Sequence, residues 1–255
     1  SGIGFYFWKK RKTVSKNLKN TLNADLLWSS ENLNEQRKAL RLSIAQKLGD
    51  RPASPLYDKI LVGENEKSAT RCITMESIDS ALKMSNFISK FSADNSIVAN
   101  GTFDKGYNEV TRKNMIQFLV CGFNFFKESL FEEWEKGEQG CVAINNTIHS
   151  LIRIFNDVVN VLCAHKNINP QSDNPEDVAE QMKYFLDPLI SYFLSITDEQ
   201  CKVIRSSYGS GGKTKVWRVF QSVVSEARSE FKPDGLEQWK RDNTKKFNSD
   251  ALSMV

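Results

Sequence analysis

The chain has few of the residues that usually bind metals or act as catalytic bases. It contains two histidines, His149 and His165, and none of its five cysteines forms a Cys-x-x-Cys pair. Zinc sites need paired ligands at short spacing, and Cys163, two positions before His165, has no second pair nearby. No Gly-x-Ser-x-Gly turn singles out a nucleophile. The sequence therefore predicts no catalytic residue, no metal ligand and no cofactor, although a Ser-His-Asp or Cys-His triad stays open.

Long apolar runs are also absent. No stretch approaches the ~20 apolar residues that cross a bilayer, and the apolar start, residues 3–8, is too short for the apolar region of a signal peptide. An odd number of cysteines without a secretory signal favours reduced thiols. These absences argue against a membrane-spanning protein and against a disulfide-stabilised secreted one, and they predict a cytoplasmic protein.

Acidic residues are missing from the first nineteen positions, which carry six basic side chains. Without those six, the 35 lysines and arginines fall to 29 against 31 acidic residues, so the net charge of +4 becomes −2. The six are Lys9, Lys10, Arg11, Lys12, Lys16 and Lys19. A concentrated cationic segment attracts polyanions because each phosphate contact releases a counterion. The segment therefore predicts contact with nucleic acid, and a solvated chain end without a ligand is the alternative.

A second stretch without acidic residues, 202–218, contains five basic side chains. Its segment Gly209-Ser210-Gly211-Gly212-Lys213-Thr214 ends like a phosphate-binding P-loop, but Ser207 stands where the first glycine is required. ATP or GTP hydrolysis is therefore not expected. Glycines before a helix can still present N–H groups to an anion, and Tyr208 and Trp217 offer stacking surfaces; a mobile glycine loop is the alternative. The predicted nucleic-acid-binding residues are Lys9, Lys10, Arg11, Lys12, Lys16, Arg205, Lys213, Lys215 and Arg218.

The hydrophobic pattern predicts a mainly α protein, a multi-helix bundle with one small β-hairpin near the N-terminal third. Apolar residues recur every three or four positions, which is typical of helices with one buried face. The hairpin is predicted between residues 59–62 and 71–74. Helices are predicted over 14–22, 33–48, 74–91, 110–134, 142–162, 178–196, 198–204, 216–231 and 236–247.

Three local signals in this pattern predict a boundary, a distorted helix and the start of a helix. The Ser-, Asn- and Gly-rich loop 92–106 predicts a boundary between residues 1–91 and a helical bundle, residues 107–255, with one continuous domain as the alternative. Pro188 should kink or split its helix because proline removes a helical hydrogen bond. Thr197 and Gln200 have the spacing of a capping box.

Three segments near the N-terminus carry a family resemblance. Val14-Ser15-Lys16-Asn17-Leu18, Arg41-Leu42-Ser43-Ile44-Ala45-Gln46-Lys47-Leu48 and Ser54-Pro55-Leu56-Tyr57-Asp58-Lys59-Ile60, in this order, resemble the DGQHR-domain proteins, which include DndB-like proteins associated with DNA phosphorothioation. The resemblance covers residues 5–80 and implies a bacterial protein of DNA modification, its transcriptional control or anti-phage defence. The Asp-Gly-Gln-His-Arg signature itself appears nowhere in this chain, so no active-site residue can be carried over.

Three functional hypotheses follow. The first is a non-enzymatic protein that binds DNA, expected to be duplex, by contacting phosphates without reading bases. The second is a helical module that binds other proteins of the same operon. The third is a fragment of a nuclease-like enzyme whose catalytic half lies upstream, which agrees with a chain that begins with Ser1.

Overall fold

The computed structural model of the chain describes residues 15–106, 108–166, 168–207 and 209–247, with side chains described up to residue 243. Helices dominate these residues, and the predicted mainly α fold is confirmed. The helices are α1 Lys16–Leu26, α2 Leu33–Asp50, α3 Met75–Met84, α4 Asn108–Ser129, α5 Phe131–Glu135, α6 Asn145–His165, α7 Pro175–Ser195, α8 Asp198–Ser206, α9 Gly209–Ala227 and α10 Leu236–Phe247, with a 3-10 helix at Gly137–Gln139. The short strands are β1 Ile60–Leu61, β2 Ile73–Thr74, β3 Lys90–Phe91 and β4 Ile97–Ala99.

Capping side chains set the start of several helices. Ser15 Oγ accepts a hydrogen bond from Leu18 N at 3.1 Å before α1. The predicted capping box before α8 is confirmed: the N–H of Gln200 donates to Thr197 Oγ1 at 3.3 Å, and the N–H of Thr197 donates to Gln200 Oε1 at 2.8 Å. These bonds satisfy N–H groups that have no partner within the helix.

Pro188 lies inside α7, yet the helix runs without a break from Pro175 to Ser195. A proline at this position leaves the carbonyl of Tyr184, four residues earlier, without its helical partner. The guanidinium of Arg228 supplies that partner, because its Nε donates to Tyr184 O at 2.8 Å. The expected split of this helix is therefore wrong, and a side chain from the end of α9 explains why.

Aromatic rings of α4 and α6 form the centre of the hydrophobic core. Phe155 of α6 lies 5.4 Å from Phe123 and 6.3 Å from Phe118, measured between ring centroids, and all three rings are fully buried. Gly122 allows this approach, since a Cβ there would lie 2.8 Å from the Phe155 ring. Around this centre α6 packs against α3, α7 and α9, and α4 packs against α2 and α7.

The segment predicted as a loop between two parts, 92–106, contains β4 and buried residues. Phe103 is fully buried, and the carboxylate of Asp104 forms a buried ion pair with Arg37 of α2 at 3.2 Å. A single hydrophobic cluster includes residues from Ala24 to Phe231. Residues on both sides of the loop therefore contribute to one core.

The predicted hairpin between 59–62 and 71–74 is wrong in its geometry. Ile60 pairs with Ile73 and Leu61 with Thr74, but the two strands are parallel. The connecting segment turns after β1, where Asn65 N donates to Val62 O, and Ser68 N donates to Arg71 O before β2 begins. The chain enters β2 in the same direction as β1. An antiparallel pair is formed instead by β3 and β4, in a region where no strand was predicted.

Within the described residues, no helix is both long and apolar enough to cross a membrane.

Candidate phosphate-binding site

The glycine-rich segment 209–212 forms the first turn of α9. Sequence analysis predicted a loop here, which is wrong, because α9 begins at Gly209. The φ angle of Gly209 is +72°, a conformation that favours glycine, and a Cβ on Gly212 would lie 2.3 Å from Ser207 O. The glycines therefore let the chain turn sharply from α8 into α9, which brings Lys213 into a rigid helical turn.

The ammonium group of Lys213 contacts the first turn of α3. Its Nζ donates to Ser77 Oγ at 3.2 Å, and Ser150 Oγ of α6 donates to the Lys213 carbonyl at 3.4 Å. Desolvation by burial lowers the pKa of Lys213, nearby Lys16 lowers it further, and Glu76 partly opposes both. Lys213 is thus a half-buried cation that already loses part of its hydration, which favours pairing with an anion.

Lys16, the first residue of α1, lies beside the same turn of α3. Its Nζ forms an ion pair with Glu76 at 2.5 Å, and both side chains are more than half exposed. An exposed pair of this kind adds little stability and exchanges readily with other ions. The fold thus brings a cation from each of the two basic stretches to Glu76. Lys9, Lys10, Arg11 and Lys12 lie outside the described residues.

A cavity of about 490 Å³ opens where α3, α6 and α9 begin. Lys213, Arg205, Gly209, Thr74 and Asn145 are among the residues that line it. Three helix starts therefore face one cavity, and each start carries partial positive charge from its unpaired N–H groups. Together with the basic side chains that line the cavity, Lys67, Arg205 and Lys213, this arrangement suits an oxyanion such as a phosphate group.

Side chains around the cavity differ in how they cap these helices. Thr74 Oγ1 accepts from Ser77 N at 3.2 Å and so caps α3. Asn145 Oδ1 accepts from Thr74 N at 2.8 Å, which joins the starts of α3 and α6. Ile144 precedes α6 and provides no side-chain cap, because its hydrocarbon side chain cannot accept a hydrogen bond.

Charges at the rim of the cavity are mixed. The guanidinium of Arg205 donates to Gln139 O. Lys67 forms an ion pair with Glu138 at 2.5 Å. Among the charged residues that line the cavity, Lys67, Arg205 and Lys213 are basic and Glu138 is acidic. The local charge is therefore positive before any ligand binds.

The two remaining predicted residues of α9 lie elsewhere. Lys215 lines a separate shallow cavity beside Trp239. Arg218 lies over the ring of Trp217, 4.4 Å from its centroid, and donates to Gln221 Oε1 at 2.8 Å and to Asp234 O at 3.0 Å. Neither residue lines the cavity at the helix starts, and the Arg218 contacts join α9 to the segment before α10.

The Trp217 ring, which was predicted to offer a stacking surface, is already covered by another side chain. Arg153 lies over this ring at 3.4 Å from the centroid, and the indole N–H donates to Asp157 Oδ2 at 2.8 Å. These residues line a second cavity of about 540 Å³ with mixed charge, including Asp157, Glu230 and Lys232. Burial raises the pKa of the Asp157 carboxyl. The mixture of signs makes this cavity a poorer site for a polyanion than the one beside Lys213.

His149 of α6 is a core residue. Its side chain is 1% exposed. Burial lowers its pKa to about 3, and the charges of Lys213 and Arg153 add to this effect. His149 is therefore neutral at pH 7 and contributes no charge to the nearby cationic cavity.

Sequence reasoning missed Glu76, Thr74 and Asn145. Thr74 caps an ordinary amphipathic helix and Glu76 lies in its first turn, so no local pattern distinguishes them from any capping residue and first-turn acid. Asn145 directly follows an apolar run and is the first residue of α6. This change from apolar to polar residues is the one local signal that a polar side chain lies at the start of a helix.

The fold and this site define a mainly α protein with a cationic cavity at three helix starts. No protein-family model, curated protein or solved structure matched the chain. The resemblance to DGQHR-domain proteins therefore remains a prediction.

Proposed function

We propose that this protein binds nucleic acid without catalysis, by contacting phosphates with two basic stretches of its chain. The observation that carries this proposal is that Lys16 pairs with Glu76 and Lys213 contacts Ser77, the next residue of α3, beside the cavity that Arg205 also lines. The two stretches come from opposite ends of the sequence, and they contribute to one surface.

Electrostatics favour a polyanion over a single small anion. The cavity has room for one phosphate group, which Lys213 and Arg205 would contact, while Lys16 is exposed outside the cavity. A neighbouring phosphate of the same strand could replace Glu76 as the partner of Lys16, because exposed ion pairs exchange readily. Several phosphates held in a row give the affinity and the salt dependence of a nucleic-acid-binding protein.

The biological setting of the proposal rests on the family resemblance. That resemblance implies DNA, in duplex form, as the ligand and a role in bacterial DNA modification, regulation or anti-phage defence. Contacts to phosphates position DNA without reading its sequence. The role implies a cytoplasmic location.

Salt-dependent binding of a labelled duplex of arbitrary sequence to the full chain tests the proposal. We expect the logarithm of the binding constant to fall linearly with the logarithm of the salt concentration. Lys213→Gln should reduce the slope by about one, because one phosphate contact is lost. Reversing the charge of Lys9, Lys10, Arg11 and Lys12 should reduce it by several units.

Two matched variants make the test specific. Lys183→Gln removes an equal charge from α7, where Lys183 lies over the Phe125 ring, and should leave the slope unchanged. Glu76→Gln should strengthen binding, because it removes the carboxylate that competes with phosphate for Lys16 and Lys213. Equal slopes for the wild type and Lys213→Gln would refute this site.

A specific observation favours one alternative, a protein-binding module. Ile97 and Val98 of β4 are 62% and 67% exposed, and β4 pairs only with β3 in its sheet. An exposed apolar strand edge can bind an extended segment of another protein. Stable binding of an operon partner that Val98→Lys abolishes, together with no salt-dependent DNA binding, would favour this alternative.

A further inference from the structure

Three side chains that commonly bind metals meet where α5, α8 and the loop after the 3-10 helix come together. A carboxylate oxygen of Glu133 and the sulfur atoms of Cys141 and Cys201 all lie within 4.8 Å of one another. The two cysteines are far apart in the sequence, so no Cys-x-x-Cys motif predicts that they are neighbours. This cluster is independent of the phosphate contacts proposed above.

One oxygen atom of this cluster, Oε2 of Glu133, is buried without a hydrogen-bond partner. Glu133 Oε1 accepts a hydrogen bond from Lys136, so its other oxygen is the one available to a ligand. Buried polar groups are nearly always paired, so this unpaired oxygen beside two sulfur atoms points to a ligand between them.

Gly140 allows the chain to close around the carboxylate. A Cβ at this position would lie 2.8 Å from Glu133 O and 3.1 Å from Glu133 Oε2. Any larger residue would push the loop that carries Cys141 away from α5. The close approach of Cys141 to Glu133 therefore depends on a glycine.

A thiolate is the form in which cysteine binds a metal. Both sulfur atoms of this cluster therefore bind a metal only after they lose their protons.

We propose that Cys141, Cys201 and Glu133 bind a zinc ion, with a water molecule as the fourth ligand. Two thiolates and one carboxylate are ligands that zinc accepts in a tetrahedral site. Sulfur atoms about 2.3 Å from a tetrahedral zinc lie about 3.8 Å apart. The ligand atoms need therefore move by no more than about 1 Å, which small rotations of the side chains provide.

The alternative chemistry of this pair is a disulfide between Cys141 and Cys201. A disulfide would join the sulfurs but would leave Glu133 Oε2 without a partner. A zinc ion would be the partner of this oxygen. Binding forms two Zn–S bonds and one Zn–O bond, and the thiol protons pass to the solvent.

Cobalt provides a direct measurement on the full chain. The reduced, chelator-treated protein should bind one Co²⁺ per chain with a thiolate-to-cobalt charge-transfer band and the visible bands of a tetrahedral site, and added Zn²⁺ should remove both. Cys201→Ser and Cys141→Ser should abolish the charge-transfer intensity. Cys163→Ser, which changes a half-buried cysteine outside the cluster, should leave the spectrum unchanged.

A further variant distinguishes loss of the zinc site from loss of the fold. Glu133→Gln changes a half-buried side chain, keeps the shape of the site and should weaken the affinity for zinc. If the reduced wild-type protein, with all five thiols counted as free, shows no cobalt–thiolate band, the proposal is wrong. A band of full intensity in a folded Cys201→Ser variant would overturn it equally.

Discussion

His149 is the group through which mild acid should destabilise this protein. Its ring is 1% exposed, and neither ring nitrogen has a hydrogen-bond partner. Burial, with smaller contributions from the positive charges of Lys213 and Arg153, lowers its pKa from 6.5 to about 3. The folded protein therefore keeps His149 neutral, while the unfolded chain protonates it as the pH falls through 6.5.

The sign and the size of the effect follow from these two pKa values. Because the pKa of His149 is lower in the folded state, its contribution to stability is present above the unfolded pKa and is lost as the pH falls. Between pH 7 and pH 5 the loss is about 2 kcal/mol, and it approaches about 5 kcal/mol below pH 3. Asp157 acts in the opposite direction, since burial raises the pKa of its carboxyl. The contribution of His149 is therefore measured as a difference between variants.

Urea unfolding at pH 7 and pH 5 provides this measurement. His149→Leu fills the same space without a titrating group and removes two unpaired nitrogens, so its stability at pH 7 should equal or exceed that of the wild type. On going to pH 5, the wild type should lose about 2 kcal/mol more than His149→Leu. The other histidine is the control, since His165 is exposed and His165→Gln should behave as the wild type. Parallel pH profiles for the wild type and His149→Leu would refute the reasoning.

Two further predictions concern the framework of the molecule. Gly212→Ala should destabilise the protein by about 1–3 kcal/mol, because the new Cβ would lie 2.3 Å from Ser207 O. Gly211→Ala should be neutral or stabilising by up to about 1 kcal/mol, because nothing lies within 4 Å of its added Cβ. Equal urea midpoints for the two variants would contradict this prediction. Arg37→Met should cost about 3–5 kcal/mol by leaving the buried carboxylate of Asp104 without its partner. Adding Asp104→Asn should recover a large part of that loss, and a double variant no more stable than Arg37→Met would argue against a paired charge.

Signals between near neighbours in the chain predicted most of the helices. The capping box at Thr197 and the apolar faces of α6 and α9 are patterns of this kind, since hydrogen bonds and side-chain contacts in a helix join residues three or four apart. Pro188 shows where such signals fail. The sequence indicates correctly that Pro188 removes a helical hydrogen bond. Only the tertiary structure shows that Arg228, at the end of another helix, donates a replacement hydrogen bond.

The strands and the sites depended on contacts between distant residues. Two-residue strands carry almost no periodicity, so the parallel direction of β1 and β2 could not be derived from their sequences. Glu76 and Asn145 became part of a candidate site because α3, α6 and α9 begin at one cavity. Similarly, Cys141 and Cys201 are unremarkable in sequence and neighbours in space.

For this protein, the sequence alone determined a mainly α fold, the positions of most helices and the presence of two basic stretches, because helical periodicity and charge are local properties of the chain. Tertiary packing decided that Lys16 and Lys213 share one surface, that Arg218 faces another part of the molecule, and that two cysteines meet a half-buried carboxylate. Those outcomes depend on how helices pack around Phe155, and packing is set by the complementarity of surfaces from the whole chain.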